Sequence, residues 1–415
     1  MTFNRVGILH YASPPIIGGV ENTIYHHALQ LSEAGFTVDV ISGRGERFNP
    51  SVNFHLIPQV GSRFSDLVTI NRSLSTGELT SQFYAFRGIL IEKLKPIFTE
   101  LDVCIVHNAL SLHKNLPLTA ALHQLNNEIK TPLVAWCHDF AWLDELYIPE
   151  LHDGYPWNLL RTAWQDVLYV TVSQHRRRRL SSLTTLPMDK IRVVNPGIDV
   201  MDFQKLEPLT RDIVGRLNLF KTKPIMLLPA RITRRKNIEF AIRVTTEVVR
   251  QLPEAALIVT GPPGPHSSKN ISYLESLNSL VEEFGISANV HFLYQLGEDN
   301  QPLYLPDVVV ADFYRLADLL LFPSQREGFG IPILEAGLLR LPIFAADIPP
   351  FRESAGDLAH LFDLESDPLA VAQGIVSALE EDEGYQFKHH VLEKYTWVSI
   401  VNEVVIPLLK EVTHD

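Results

Sequence analysis

Cysteine is scarce: Cys104 and Cys137 are the only two in 415 residues, each inside an apolar run ("DVCIVHN" and "PLVAWCHDF"). They give neither a disulfide framework nor a zinc-ligand spacing, and both read as buried free thiols. A basic excess is also lacking, since the formal net charge is −12. That argues against nucleic acid as a main partner, although a local basic cluster can still hold a small anion. No apolar run reaches the ~18 residues of a membrane span. The opening "MTFNRVGILHYASPP" has no long apolar signal core. A cytoplasmic protein is therefore expected, with peripheral membrane contact left open. Repeats and low-complexity tracts are missing. So is a GxGxxG after the first apolar run, where "IIGGVEN" stands instead; a dinucleotide dehydrogenase would need it there.

What is present is alternation. "RVGILHYA" (5–12) reads as a buried strand, and the helical spacing of Val20, Ile24, Ala28 and Leu31 follows, with Gly35 as C-cap. Further apolar runs stand at 36–43, 101–108, 131–139, 167–173 and 191–197. The series restarts with runs at 223–230, 256–263, 289–296, 317–324 and 341–350, and "KNIEFAIRVTTEVVRQLPEA" as an amphipathic helix. Strand–helix repetition of this kind predicts an α/β protein with parallel sheets covered on both faces. The length calls for two or three domains. The boundaries read as 1–197, 198–390 and a helical tail over 391–415, with "NPGIDVMDFQKLEP" (195–208) as the connection.

Ligands of such sheets bind at the carboxyl ends of the strands. Two doubly wound, Rossmann-like domains facing a cleft would put the site in that cleft. Past the first strand, Gly18 and Gly19 precede a helix and suit a phosphate or an acceptor, although a tight turn explains them equally. His138 and Asp139 end the strand at 131–137, and the aromatic-rich "FAWLDELYIPELHDGYPW", with Trp142, follows them. Such a loop suits sugar rings; a structural hydrogen-bonded pair is the rival account of His138 and Asp139. Arg231, Arg234, Arg235 and Lys236 cluster after the run at 223–230. Arginine forks and a lysine point charge suit a diphosphate, against the alternative of a solvated turn. The run Arg176 to Arg179 falls in a helix and reads as a solvated face.

The densest stretch is "REGFGIPILEAG" (326–337), with seven residues between Glu327 and Glu335. Gly328, Gly330 and Pro332 break any continuous helix, so a loop through Ile331 and a helix from about Pro332 are expected. Glu327 then lies on the loop and Glu335 in the first helical turn. Carboxylates accept hydrogen bonds from neighbouring hydroxyls, and a helix start offers free N–H donors to phosphate. A nucleoside diphosphate carrying hydroxyl-rich rings fits both.

With "GGVENTIYHHALQLSEAGFTVDVIS", "VVNPGID", "PARITRRKN" and "YTWVSI", this stretch resembles the retaining glycosyltransferases of the GT-B fold, family 4, over nearly the whole chain. The resemblance implies an acceptor-side first domain, a nucleotide-sugar-binding second domain and a tail helix returning to the first. It places Glu327 on the donor hexose and Glu335 on the ribose. Arg231, Lys236 and Gly19 would meet the diphosphate, and backbone N–H groups of Phe329, Gly330 and Ile331 the sugar and phosphates. His138 would lie near the reacting centre, with Asp139 and Trp142 as acceptor candidates. The expected donor is a nucleoside-diphosphate hexose, GDP-mannose or UDP-glucose, with no cofactor. With no Asp-x-Asp at a strand end, no metal is expected either. The acceptor reads as a small polar molecule or sugar. A lipid-linked acceptor, a sugar-nucleotide epimerase and a non-catalytic sugar-nucleotide binder are the rivals.

Overall fold

The structure, a computed structural model, describes residues 3–264 and 269–414. The chain forms two compact units. One comprises residues 1–198 together with 395–415, the other residues 199–394.

The first unit is built on seven parallel strands: β1 (Arg5–His10), β2 (Thr37–Ser42), β3 (Val52–Leu56), β4 (Val103–His107), β5 (Leu133–Cys137), β6 (Val167–Thr171) and β7 (Ile191–Val193). Their order is β3-β2-β1-β4-β5-β6-β7. The second has β8 (Ile225–Leu228), β9 (Ala256–Val259), β10 (Val290–Phe292), β11 (Leu319–Phe322), β12 (Ile343–Ala346) and β13 (His360–Phe362), in the order β10-β9-β8-β11-β12-β13. Both are doubly wound, Rossmann-like sheets. The order reverses at β1/β4 and at β8/β11, the switch points where such sheets open a crevice. β4, β5, β8, β9, β11 and β12 are buried along their whole length, which is why they read as continuous apolar runs.

Several expected strands are shorter than their apolar runs. The run at 341–350 ends as a strand at Ala346, and Pro349 opens the helix Pro349–Ala355. Proline cannot donate to a ladder but suits a first helical turn. The run at 289–296 is a strand only through Phe292 and then a 3-10 turn, Leu293–Leu296. β3 and β13 are edge strands, and their sequences "VNFHL" and "HLF" carry too little apolar signal to stand out.

Helix Gly19–Glu33 stops as its sequence suggests. Gly35 takes φ +93°, its N–H reaches the Ser32 carbonyl, and the Phe36 N–H reaches that of Leu31. The tail is not one element. Helix Glu383–Lys394 belongs to the second unit, with Lys388 Nζ donating to Asp318 at 2.7 Å. Helical residues Trp397–His414 belong to the first. There Ile400, Val401, Val405 and Leu409 complete a core with Val6, Ile8, Ile24, Val38 and Val103. Ile198 pairs with Thr396 as an isolated parallel bridge, and a Cβ on Gly197 would meet Trp397 at 2.8 Å. Cys104 and Cys137 are buried free thiols, and burial pushes the Cys137 thiol up to about 12. Among the described residues no helix is long and apolar enough to cross a membrane.

Candidate functional site

In the second unit, the loops after β8, β9 and β11 are laced together. Ile232 donates its N–H to the Pro262 carbonyl (2.9 Å), and Gly264 to that of Ile232 (3.2 Å). A Cβ on Gly261 would lie 2.3 Å from the Ala230 carbonyl oxygen, so only glycine allows this approach. Gln325 N–H donates to the Arg235 carbonyl at 2.8 Å, and Arg235 Nη1 to the Arg326 carbonyl at 3.1 Å.

Glu327 is the hub of this lacing. Its carboxylate accepts from Lys236 Nζ through one oxygen and from Arg235 Nη1, at 3.1 Å, through the other. Lys236 sits in the 3-10 turn Arg234–Lys236, only 7% exposed, with its ammonium 4.7 Å from the Phe322 ring centre. Burial alone would raise the Glu327 pKa. The bonds from Lys236 and the nearby Arg235 charge outweigh it and hold the carboxyl below the ordinary glutamate range. Lys236 is therefore buried and paired, unlike a lysine in a solvated turn, and its partner is Glu327, the glutamate that the resemblance places on the donor hexose. Arg231 is exposed and has no hydrogen bond or ion pair among the described residues.

Beyond Glu327 the chain turns at Gly330 (φ +102°) into helix Ile331–Leu338, with Pro332 in the first turn. A Cβ on Gly330 would press on the Phe351 ring at 2.9 Å. The N–H groups of Phe329, Gly330 and Ile331 have no acceptor among the described residues. Glu335 lies in the second turn, not the expected first, because the helix opens at Ile331. It is exposed and accepts from Tyr314 OH at 2.5 Å, beside a hollow of about 480 Å³. Burial first, then Glu335, pushes the Tyr314 phenol up and keeps it a donor.

In the first unit, the carboxyl ends of β1, β2, β4 and β5 surround a polar hollow of about 680 Å³. Asn108, at φ +57°, accepts the backbone N–H groups of His138 (2.8 Å) and Asp139 (3.3 Å) on its Oδ1, and so shapes the turn after β5. His138 Nε2 lies 3.0 Å from His107 Nδ1. Burial, helped by the positive charge of Arg176, lowers the His138 pKa to about 4, so the ring is neutral near pH 7. Asp139 faces the hollow and is paired with Arg176 at 2.8 Å. Trp142 is turned into packing, with Nε1 donating to the Trp157 carbonyl (3.1 Å) and Arg161 stacked 4.0 Å from its ring centre. Gly19 is exposed, and a Cβ there would touch nothing within 4 Å.

The arginine run is a solvated face only in part: Arg178 and Arg179 are exposed, and the run also makes surface contacts. Arg176 binds Asp139, and Arg179 Nη2 donates to the Leu143 carbonyl at 3.3 Å, so two of the four hold the loop after β5. Asn108, Gly261 and Tyr314 escaped the sequence reading. Asn108 directly follows β4 and Gly261 stands two residues past β9, which was the available signal; Tyr314 had none, being an aromatic at ordinary helical spacing.

Two family models match: "Glycosyl transferases group 1" over residues 210–394 and "Glycosyltransferase Family 4" over residues 17–201. The D-inositol 3-phosphate glycosyltransferase of Nocardia farcinica is 32% identical over 366 residues, covering 83% of this chain and 74% of that protein. The mannosylglucosylglycerate synthase of Petrotoga mobilis is 25% identical over 282 residues, and the match spans 62% of each chain. Among solved structures, the sucrose-phosphate synthase of Thermosynechococcus elongatus matches over 99% of this chain and 100% of its own, at 16% identity and a TM-score of 0.39. Both halves of the chain thus match glycosyltransferase models, and the chain belongs to the family 4, group 1 glycosyltransferases.

Proposed function

We propose that the protein moves a hexose from a nucleoside-diphosphate sugar to a hydroxyl of a small polar acceptor, with retention of configuration and without a metal. The second unit, residues 199–394, binds the donor and the first binds the acceptor. The observation that carries this reading is the Lys236–Glu327 pair beside three unclaimed N–H donors at a helix start. Arg231 and Lys236 neutralise the diphosphate, and the N–H groups of Phe329, Gly330 and Ile331 take sugar and phosphate oxygens. Glu327 accepts hexose hydroxyls, and Glu335 the ribose diol.

The acceptor oxygen bonds to the anomeric carbon on the face the diphosphate leaves. The bond from that carbon to the phosphate oxygen breaks, and the hydroxyl proton passes to the leaving oxygen. Donors fixed beforehand around that oxygen stabilise its growing charge. Glu327, held by two cations, acts in positioning and not as a nucleophile. A neutral His138 supplies a hydrogen bond without adding charge. Gly19, unobstructed at its Cα, leaves room for a phosphate. The relatives' names, which speak of inositol phosphate and of a glycerate product, support a small hydroxylated acceptor. A lipid-linked acceptor loses support because Arg176 and Arg179 are engaged within their own unit.

The test is a thermal-shift panel of GDP, UDP, ADP, GDP-mannose and UDP-glucose. A ligand at a hundred times its Kd adds about 2.7 kcal/mol of stability. A panel in which no nucleotide raises the melting temperature sinks the donor-site reading.

A further inference from the structure

His107 ends β4 and is fully buried, and no step of the transfer uses it. Its carbonyl lies 2.9 Å from His10 Nδ1. A carbonyl can only accept, so His10 brings the proton there and anchors the end of the strand. The His107 ring sits among aromatic neighbours, 5.7 Å from the Trp136 ring centre and 5.8 Å from that of His27. Its Nδ1 is 3.0 Å from His138 Nε2, while its own Nε2 is buried with no partner among the described residues. His138 directly follows β5 and is partly exposed, and its Nδ1 has no partner among the described residues.

Burial holds His107 well below the ordinary histidine range, and burial with the nearby Arg176 charge brings His138 to about 4. Each ring therefore carries one proton near pH 7. A hydrogen bond between two neutral imidazoles needs a proton from one and a lone pair from the other. If His138 Nε2–H donated, the His107 proton would sit on its Nε2, as a buried N–H with no acceptor. If His107 Nδ1–H donates, that Nε2 is only a bare lone pair. Orphaned buried N–H groups are the rarer of the two in folded proteins.

We infer that His107 is a positioning residue: its Nδ1–H donates to His138 Nε2 and so places the proton of His138 on Nδ1. His138 then meets the donor hexose through an Nδ1–H donor, and has no lone pair on that nitrogen with which to act as a base. A free neutral imidazole prefers its proton on Nε2, so the fold selects the less common form. The inference rests on the glycosyltransferase reading for the task of that N–H, but not for the direction of the bond.

Nitrogen-15 NMR of the full chain, labelled at histidine and held near pH 7, tests the bond directly, with His138→Gln identifying the His138 signals. His138 should show a protonated Nδ1 and a bare Nε2; a protonated Nε2 overturns the inference. In His107→Leu the His138 ring should pass to a mixture dominated by Nε2–H. The kcat for release of nucleoside diphosphate from UDP-glucose or GDP-mannose should fall about tenfold. That is less than the roughly 100-fold of removing a preorganised donor outright, because the freed ring still spends part of its time in the useful form. The Kd of the nucleoside diphosphate should not change. In the His138→Gln background the same substitution should cost nothing further, as expected of two residues that act as a unit. Equal losses in both backgrounds, or an unmoved His138 spectrum in His107→Leu, would make His107 merely structural and overturn the inference. Should His107→Leu fail to fold, His107→Phe keeps an aromatic ring and removes the same proton. If His138 carries its proton on Nδ1 but neither sugar nucleotide is turned over, the glycosyltransferase reading falls and the bond stands.

Discussion

Glu327 and Glu335 belong to one motif and should behave differently. In the proposed mechanism Glu327 meets the hexose, whose geometry changes during transfer, and Glu335 the ribose, which does not change. A contact stronger in the transition state costs kcat when lost, and a uniform one raises KM. Glu327→Gln should therefore cut kcat by roughly 100-fold, the scale of losing one preorganised transition-state contact. Glu335→Gln should raise donor KM about tenfold, roughly 1.4 kcal/mol, with kcat kept. Steady-state kinetics decide; normal kcat in Glu327→Gln removes the central residue of this mechanism. Because Glu335 sits in the second helical turn, its interaction with the helix dipole is small, and its loss should leave the melting temperature nearly unchanged. Lys236 and Arg231 differ in stability. Lys236→Ala strands a half-buried carboxylate that keeps only Arg235, and should cost roughly 1–3 kcal/mol in urea denaturation. Arg231→Ala, exposed and unbonded, should cost under roughly 0.5 kcal/mol. The Lys236 penalty should shrink in acid. The folded Glu327 pKa lies below the ordinary 4.5, so the pair stabilises above that pH and its contribution is lost as pH falls beneath it. A penalty unchanged at pH 3.5 would contradict the pairing.

At the scale of elements, the sequence was legible where burial is symmetric and opaque where partners are distant. β4, β5, β8, β9, β11 and β12 announce themselves as apolar runs because helices cover both of their faces. β3 and β13 do not, since an edge strand has a half-wet environment. The loop before helix Ile331–Leu338 was readable from Gly330 and Pro332, whose backbone rules are local. The pairing of Glu327 with Lys236, 91 residues away, is not local, and no periodicity encodes it. The same holds for the histidines around β1 and β4. His10, His27 and His138 have pKa values lowered to about 4, 3 and 4, and His107 lies well below its ordinary value, in each case chiefly by burial. Each ring is neutral when folded and takes up a proton near pH 6.5 when unfolded. Stability from these groups is complete above pH 6.5 and declines as pH falls towards 4, by up to about 1.4 kcal/mol per pH unit for each histidine. All five tryptophans (136, 142, 157, 164 and 397) lie in the first unit, so their fluorescence reports that unit alone. Urea midpoints followed this way should fall between pH 7 and pH 5. A flat profile would mean that these rings are not held neutral by the fold.

At the scale of the whole molecule, the first unit is discontinuous in sequence and the second is not. Residues 199–394 hold their own core and their own sheet, so this segment expressed alone should fold and bind a nucleoside diphosphate. Removing residues 395–415 should instead unfold or loosen the first unit, because Ile400, Val401, Val405 and Leu409 would no longer cover Ile8, Val38 and Val103. The truncated protein should show red-shifted tryptophan emission with nucleotide binding retained; native-like emission would refute the role given to the tail. The bridge from Ile198 to Thr396 also has a meaning in time. A ribosome delivers β1 to β7 early, yet the helical segment that seals one face of their sheet emerges only after the whole second unit. At 5–20 residues per second those ~200 residues occupy roughly 10–40 s. The unit begun first is therefore finished last, and throughout that interval the nascent chain presents an uncovered apolar sheet face, a natural hold for chaperones.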